Sequence, residues 1–436
     1  MGTRIASWIP VAALGLIFLT SCARLQQYRT EDGPAPYVPQ ARSHAIIEQG
    51  PNYSVGYVEM DDQGWLYQRH QIDTVTNWIG SKLDGTNHLL LVTFIHGWKH
   101  NASGGDSNVA MFHTVLHNIS GMEEFLAHKA GRQPRQVVGV YVGWRGLSLQ
   151  YDPWKEFTFW DRKNSAEQVG HGGLIELLSE LEKIRDRDNA ALLPSPDGRP
   201  VYRTRMVTVG HSFGADVLYA AVSPALIERM VKNTDATGAA GPPKSLGDLV
   251  ILINPAFEAS RFQTLHELGE SKAFPLGKDC TLAVFSSSND VPNRCFFPIG
   301  RHLSELFDKY HTPAERRANL TALGFYEPFI THSLLLTNLN ARALEAAAST
   351  NENVNLQTQR AAAERVAELK THPPPGDDGT YGFLHTLLTR RPGCSARDPV
   401  FVVAVDQRII ASHDAIDSWV FVRFLTEFVS LFSQGG

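Results

Sequence analysis

Met206-Val207-Thr208-Val209-Gly210-His211-Ser212-Phe213-Gly214-Ala215-Asp216-Val217-Leu218 is an apolar, β-rich run, a sharp Gly-x-Ser-x-Gly turn and the opening of an amphipathic helix. A residue turning so abruptly from strand to helix takes a strained backbone conformation, and a side chain at either flanking glycine would strike the neighbouring strand or helix. Ser212 is thereby presented at a helix N-terminus. There the exposed N–H groups and the positive end of the helix dipole favour an alkoxide or an oxyanion.

On either side of this run the chain alternates strand and helix patterns. Ser54–Met60 and Trp65–Tyr67 flank Asp61-Asp62-Gln63-Gly64 as an expected opening hairpin, followed by helical spacing over Gln71–Leu83. Leu89–Ile95 and Val137–Trp144 are continuous apolar runs, the mark of strands buried on both faces of a parallel sheet, with a helix expected between them at Val109–His128. A charged helix near Ile175–Asp188 leads to the Ser212 strand. Strands at Leu249–Ile253, Thr281–Ser286 and Val400–Val405, the last extending towards Ile410, follow it. From about Asp414, Ile416, Val420, Phe424, Leu425 and Phe428 recur at helical spacing. This alternation predicts an α/β fold with a mostly parallel sheet flanked by helices.

With the Ser212 strand counted as the fifth, the order resembles the α/β-hydrolase fold from about Asn52 to the C-terminus, and more narrowly its serine esterases and lipases. In such enzymes a histidine accepts the proton of the serine hydroxyl and a carboxylate orients the histidine, in the chain order serine, acid, histidine. The resemblance makes Ser212 the nucleophile and His413, just after the last strand, the base, ahead of His332 and His385. It makes Asp290, in Ser286-Ser287-Ser288-Asn289-Asp290-Val291-Pro292, the acid, with Glu258 as runner-up. Asp290 also suits a plain turn cap. The expected oxyanion donors are the N–H groups of Phe213 and of Trp98, in His96-Gly97-Trp98. His96 is expected to hydrogen-bond beneath that loop, and Asp216 to cap the first turn of the helix after Ser212.

The implied activity is hydrolysis of carboxylic esters through an acyl-enzyme. A thioesterase or peptidase would use the same residues, and a different class of function, a non-catalytic envelope binding or scaffold protein, would keep the fold alone. No cofactor is implied. His96 and His100 stand four apart but lack the glutamate of a zinc helix, so no metal site is expected. The formal charge of −5 and the absence of a basic run argue against nucleic acid.

Residues 1–21 carry an early Arg4, an uncharged apolar stretch from Ile5 to Leu19, and Leu19-Thr20-Ser21-Cys22. The stretch is short for a membrane span, and small residues precede the cysteine. This resembles a bacterial lipoprotein signal peptide, which implies cleavage before Cys22, acylation of Cys22 with palmitate-like chains, and a membrane anchor in the cell envelope. Ala23 at the next position favours the outer membrane over the inner. The polar, proline-containing residues 22–51 are expected as a flexible tether, with the globular domain at 52–436. Residues 296–399 exceed what one crossover requires, and suit either a cap or a surface insertion. Cys280, Cys295 and Cys394 remain, with Cys280 and Cys295 the nearest pair. The expected partners are a small-molecule or lipid ester and, through Cys22, a membrane. Oligomeric state leaves no trace in the sequence.

Overall fold

The computed structural model describes residues 26–84, 87–146, 159–192, 203–233, 240–272, 274–275, 280–304, 309–372 and 379–432. The apolar runs become strands: β1 (Glu31–Pro36), β2 (Ala45–Gln49), β3 (Tyr53–Glu59), β4 (Leu89–Ile95), β5 (Gln136–Gly143), β6 (Arg205–His211), β7 (Leu249–Ile253), β8 (Leu282–Ser287), β9 (His332–Leu336), β10 (Thr380–Gly382), β11 (Thr386–Arg390) and β12 (Val400–Val405). They form one twelve-stranded sheet in the order β1-β2-β3-β5-β4-β6-β7-β8-β12-β9-β11-β10. From β3 to β9 every pairing is parallel, whereas β2 meets β3, and β9, β11 and β10 meet one another, antiparallel. All C-terminal ends of the parallel strands therefore open on one edge.

The helices are α1 (His70–Gly80), α2 (Ser107–Lys129), α3 (Phe159–Gly170), α4 (Gly173–Ala190), α5 (Phe213–Lys232), α6 (Gln263–Ser271), α7 (Phe297–Ser304), α8 (Pro313–Leu320), α9 (Ala341–Thr350), α10 (Glu352–Thr371) and α11 (Trp419–Phe432). They cover both faces of the sheet. One core joins α1, α4 and α5 to it through Ile72, Val75, Leu177, Leu181, Val217 and Leu218. The other joins α2 and α11 through Phe112, Leu116, Phe421, Phe424 and Phe428, with the Phe285 ring edge-on to all three of those α11 phenylalanines. Strands buried on both sides need no alternation, which is why β4 and β6 read as unbroken apolar runs.

Three expectations are corrected. The segment taken as a tether contributes β1 and β2 to the sheet, and two of its polar residues, Arg29 and Glu48, are buried against each other. Arg29 is fully buried, with Nη1 donating to Glu48 Oε1 at 3.0 Å, and Tyr57 and His113 bond the same carboxylate. Burial would raise the Glu48 carboxyl, but the His113 hydrogen bond and the Arg29 charge hold it down at about 2. Trp65–Tyr67 makes only one bridge, Met60 to Leu66, in place of a hairpin strand, and with β1 and β2 added ahead of β3 the Ser212 strand is the sixth. Finally, much of 296–399 builds the sheet itself: β9 pairs with β12, and β11 and β10 extend beyond it. Its helix α10 packs on α2 through Ala362, Ala363 and Val366 against Met122 and Leu126.

No disulfide joins the described cysteines. Cys280 and Cys295 stand beyond opposite ends of β8, about 20 Å of strand apart. A disulfide needs Cα atoms within about 7 Å.

Candidate active site

Ser212 stands between the end of β6 and the start of α5 with φ 58° and ψ −121°, a left-handed backbone that a residue bearing a Cβ holds only when its surroundings impose it. They do so here. Its N–H donates to Ile253 O at 2.9 Å, and a Cβ on Gly214 would come within 2.2 Å of Ile95 O, so α5 lies directly against the end of β4. The first turn of the helix after Ser212 is thereby seated against the C-terminal end of β4.

The structure brings together the three residues expected to share chemistry. Ser212 Oγ lies 2.6 Å from His413 Nε2, and His413 Nδ1 lies 2.8 Å from Asp290 Oδ2. A carboxylate only accepts, so Nδ1 carries the proton and Nε2 is free to accept from the serine hydroxyl. All three are buried, with His413 9% exposed. Burial pushes the His413 imidazole down, but the Asp290 carboxylate, by charge and hydrogen bond, lifts it above the ordinary histidine value.

Each member is braced from behind. Asn293 donates to Asp290 from its backbone at 3.0 Å and from its side chain at 2.9 Å, and the same amide reaches Asn254 O at 3.0 Å. Asn254, itself at φ 44°, donates through Nδ2 to His413 O at 2.8 Å and accepts from Ser287 N–H at 2.9 Å. His211 Nε2 donates to that same His413 oxygen at 3.0 Å. Burial and the neighbouring His413 hold His211 down to about 4, so it serves as a neutral donor.

The His96-Gly97-Trp98 loop lies over the nucleophile. A Cβ on Gly97 would come within 2.8 Å of Ser212 Cβ and 2.9 Å of His211 O, so only glycine permits this approach. His96 accepts from Trp144 N–H at Nε2 (3.0 Å) and donates from Nδ1 to Gly97 O (2.9 Å). Burial lowers it to about 4, which keeps the ring neutral beneath the loop. Phe213 N–H stands in the first turn of α5 beside Ser212, and Trp98 follows Gly97 in the loop.

The alternative residues lie elsewhere. Glu258 is buried between Lys163 Nζ at 3.0 Å and Arg301 Nη1 at 2.8 Å. His332 bonds Thr331 and packs its ring 4.2 Å from that of Phe401, and burial drives its value down to about 3. His385 bonds Asn338. Asp216 departs from its expected role as a simple helix cap. It is fully buried and bonds Arg261 at 2.5 Å, and burial raises it to about 6 against the pull of Arg261 and Lys163. Cys22 lies outside the described residues.

His211, His413 and Asp414 offer donor atoms within 4.8 Å of one another, the spacing of a metal site, but both His413 nitrogens already face Ser212 and Asp290. A cavity of about 680 Å³ lined by Arg185, Arg205, Arg229 and Asp248 shares no residue with this site. Comparison of the sequence with protein-family models and with curated proteins returns no match.

Proposed function

We propose that this chain is a membrane-anchored serine hydrolase that cleaves carboxylic esters. The observation that carries the reading is the unbroken line Ser212 Oγ, His413 Nε2, His413 Nδ1, Asp290 Oδ2, with contacts of 2.6 and 2.8 Å, on a serine held in a strained turn. In that arrangement Ser212 Oγ attacks the ester carbonyl carbon while its proton passes to His413 Nε2. The tetrahedral oxyanion lies against the N–H groups of Phe213 and Trp98. His413 returns the proton to the departing alcohol, leaving an acyl-enzyme. A water then repeats the sequence, and the acid is released with Ser212 restored. Asp290 holds the imidazole in the required tautomer and stabilises its charged form.

Support also comes from topology. The run β3-β5-β4-β6-β7-β8-β12, with the serine after β6, the acid after β8 and the histidine after β12, resembles the α/β-hydrolase fold in order and placement. The lipobox-like Leu19-Thr20-Ser21-Cys22 supports lipid attachment at Cys22 and an envelope location, outer membrane over inner.

The test is labelling of the purified protein with a fluorophosphonate and mapping of the modified peptide. Modification at Ser212 that vanishes in Ser212→Ala and falls by about 10³-fold or more in His413→Ala is expected. A folded wild-type protein that resists labelling overturns the reading.

A further inference from the structure

The N-terminus of the described chain is fastened to the same sheet edge that carries Ser212. Glu59 ends β3, and its carboxylate accepts from Tyr28 N–H at 3.0 Å and from Arg29 N–H at 2.7 Å. Arg29 Nε donates to Ala102 O at 2.7 Å, in the loop that leaves β4 beyond the His-Gly-Trp segment. Gln26 is thus close to the C-terminal edge of the parallel strands. It stands four positions after Cys22, a span of at most about 14 Å even when fully extended. An acyl-anchored Cys22 holds that edge near the lipid surface.

The distribution of exposed apolar side chains follows the same polarity. Trp65, 75% exposed, sits on the turn after β3. Val291, Phe296 (63%) and Ile299 (59%) follow β8 directly after Asp290, and Leu339 (77%) follows β9. β3, β8 and β9 all end at the Ser212 edge. The far edge exposes Val231, near the end of α5 and about 30 Å of helix away from Ser212, and Val38, past the end of the oppositely running β1. Ile175, Leu335 and Leu356, also exposed, lie within helices or on β9. An aromatic and aliphatic rim of this kind suits the headgroup boundary, where apolar side chains enter and the backbone stays wet.

We infer that the C-terminal edge of the sheet is a membrane-docking face, and that the hydrolase draws a lipid ester from the bilayer surface into the Ser212 site. The substrate half of this inference rests on the proposed esterase chemistry. Val291 and Phe296 flank the acid loop, so an acyl chain leaving the bilayer meets apolar surface beside the triad.

The experiment uses the full chain, purified with its anchor and reconstituted into phosphatidylethanolamine–phosphatidylglycerol vesicles. The photoreactive residue p-benzoylphenylalanine replaces Trp65, Phe296 or Leu339 in three variants, and Val38 or Val231 in two more. Irradiation is expected to give lipid adducts at 65, 296 and 339 in at least about fivefold excess over 38 and 231. Equal adducts at both edges, adducts mainly at 38 and 231, or none at either overturn the docking face. Fluorophosphonate labelling of Ser212 in the same vesicles reads the chemistry separately. A labelled Ser212 without edge adducts defeats the docking face alone, whereas edge adducts with an unreactive Ser212 leave the docking face standing and overturn the substrate assignment.

Discussion

The side-chain amide of Asn254 donates to the main-chain oxygen of His413 at 2.8 Å, tying the end of β7 to the loop that holds the imidazole. The same side chain accepts from Ser287 N–H at the end of β8. One residue thus fixes His413 to the strands on which the serine and the acid depend. Asn254→Ala should lower kcat by about 10- to 100-fold with KM little changed, because a small displacement of a catalytic group affects the barrier more than substrate binding. It should also cost about 1–3 kcal/mol of stability by leaving buried polar groups unpaired. Steady-state kinetics with thermal unfolding checks both; a change confined to KM contradicts a positioning role.

Ser212 holds φ 58°, a conformation that alanine shares at equal cost and glycine adopts freely. Ser212→Gly and Ser212→Ala should both be inactive, with the glycine variant more stable by about 1 kcal/mol once its greater unfolded-state entropy is counted. Denaturant unfolding of the two proteins decides the point. A glycine variant less stable than the alanine variant by the entropy difference alone would mean that the turn carries no strain.

Asp290 and Glu258 are separated by function in a direct comparison. Asp290→Asn should reduce kcat by about 10⁴-fold while the fold persists, since the imidazole loses its orienting carboxylate. Glu258→Gln should keep kcat within about tenfold and instead lose about 3 kcal/mol, because Lys163 and Arg301 are left facing a neutral amide. An inactive, fully stable Glu258→Gln protein would reverse the acid assignment.

The pH dependence follows from His413. Its folded value is raised above the ordinary one, burial being outweighed by Asp290. In the proposed mechanism the neutral ring is the base, so kcat/KM should rise with pH through an inflection above about 6.5. In Asp290→Asn the opposing burial remains without the carboxylate, and the inflection should move to lower pH. The stability contribution has the opposite sense. It is fully present below about 6.5 and is lost as pH rises through the folded value, because the folded state holds this proton more tightly than the unfolded chain. A pH–rate profile with an inflection below the ordinary histidine value would contradict this account.

Strands β4 to β8 and β12 were legible because strands covered by helices on both faces have no polar side to write into the sequence. Ser212, Asp290 and His413 were nameable because the hydrolase resemblance implies an order of serine, acid and histidine around those strands, and they stand in hydrogen-bond contact. Other features left weaker signals. Arg29, Glu48 and His113 are polar letters whose mutual pairing makes them core, and no local pattern distinguishes such a cluster from a tether. The strands β9 to β11 are short and only half-buried, so a long insertion hid their place in the sheet. Asn254, in Asn254-Pro255 after β7, reads as a turn residue, since its partners lie 33 and 159 positions away. Asp216 suited a helix cap by position, yet its charge is held by Arg261 from another element.

A sheet of twelve strands still has two margins where unpaired backbone groups could recruit a foreign strand. At one, β1 carries Pro34 and Pro36, which have no N–H to offer, and a bulge breaks its register between Glu31 and Pro34. At the other, β10 is three residues long. The molecule thus presents two poor templates for cross-chain pairing. Converting the prolines to β-branched residues would turn the first margin into a sticky ribbon.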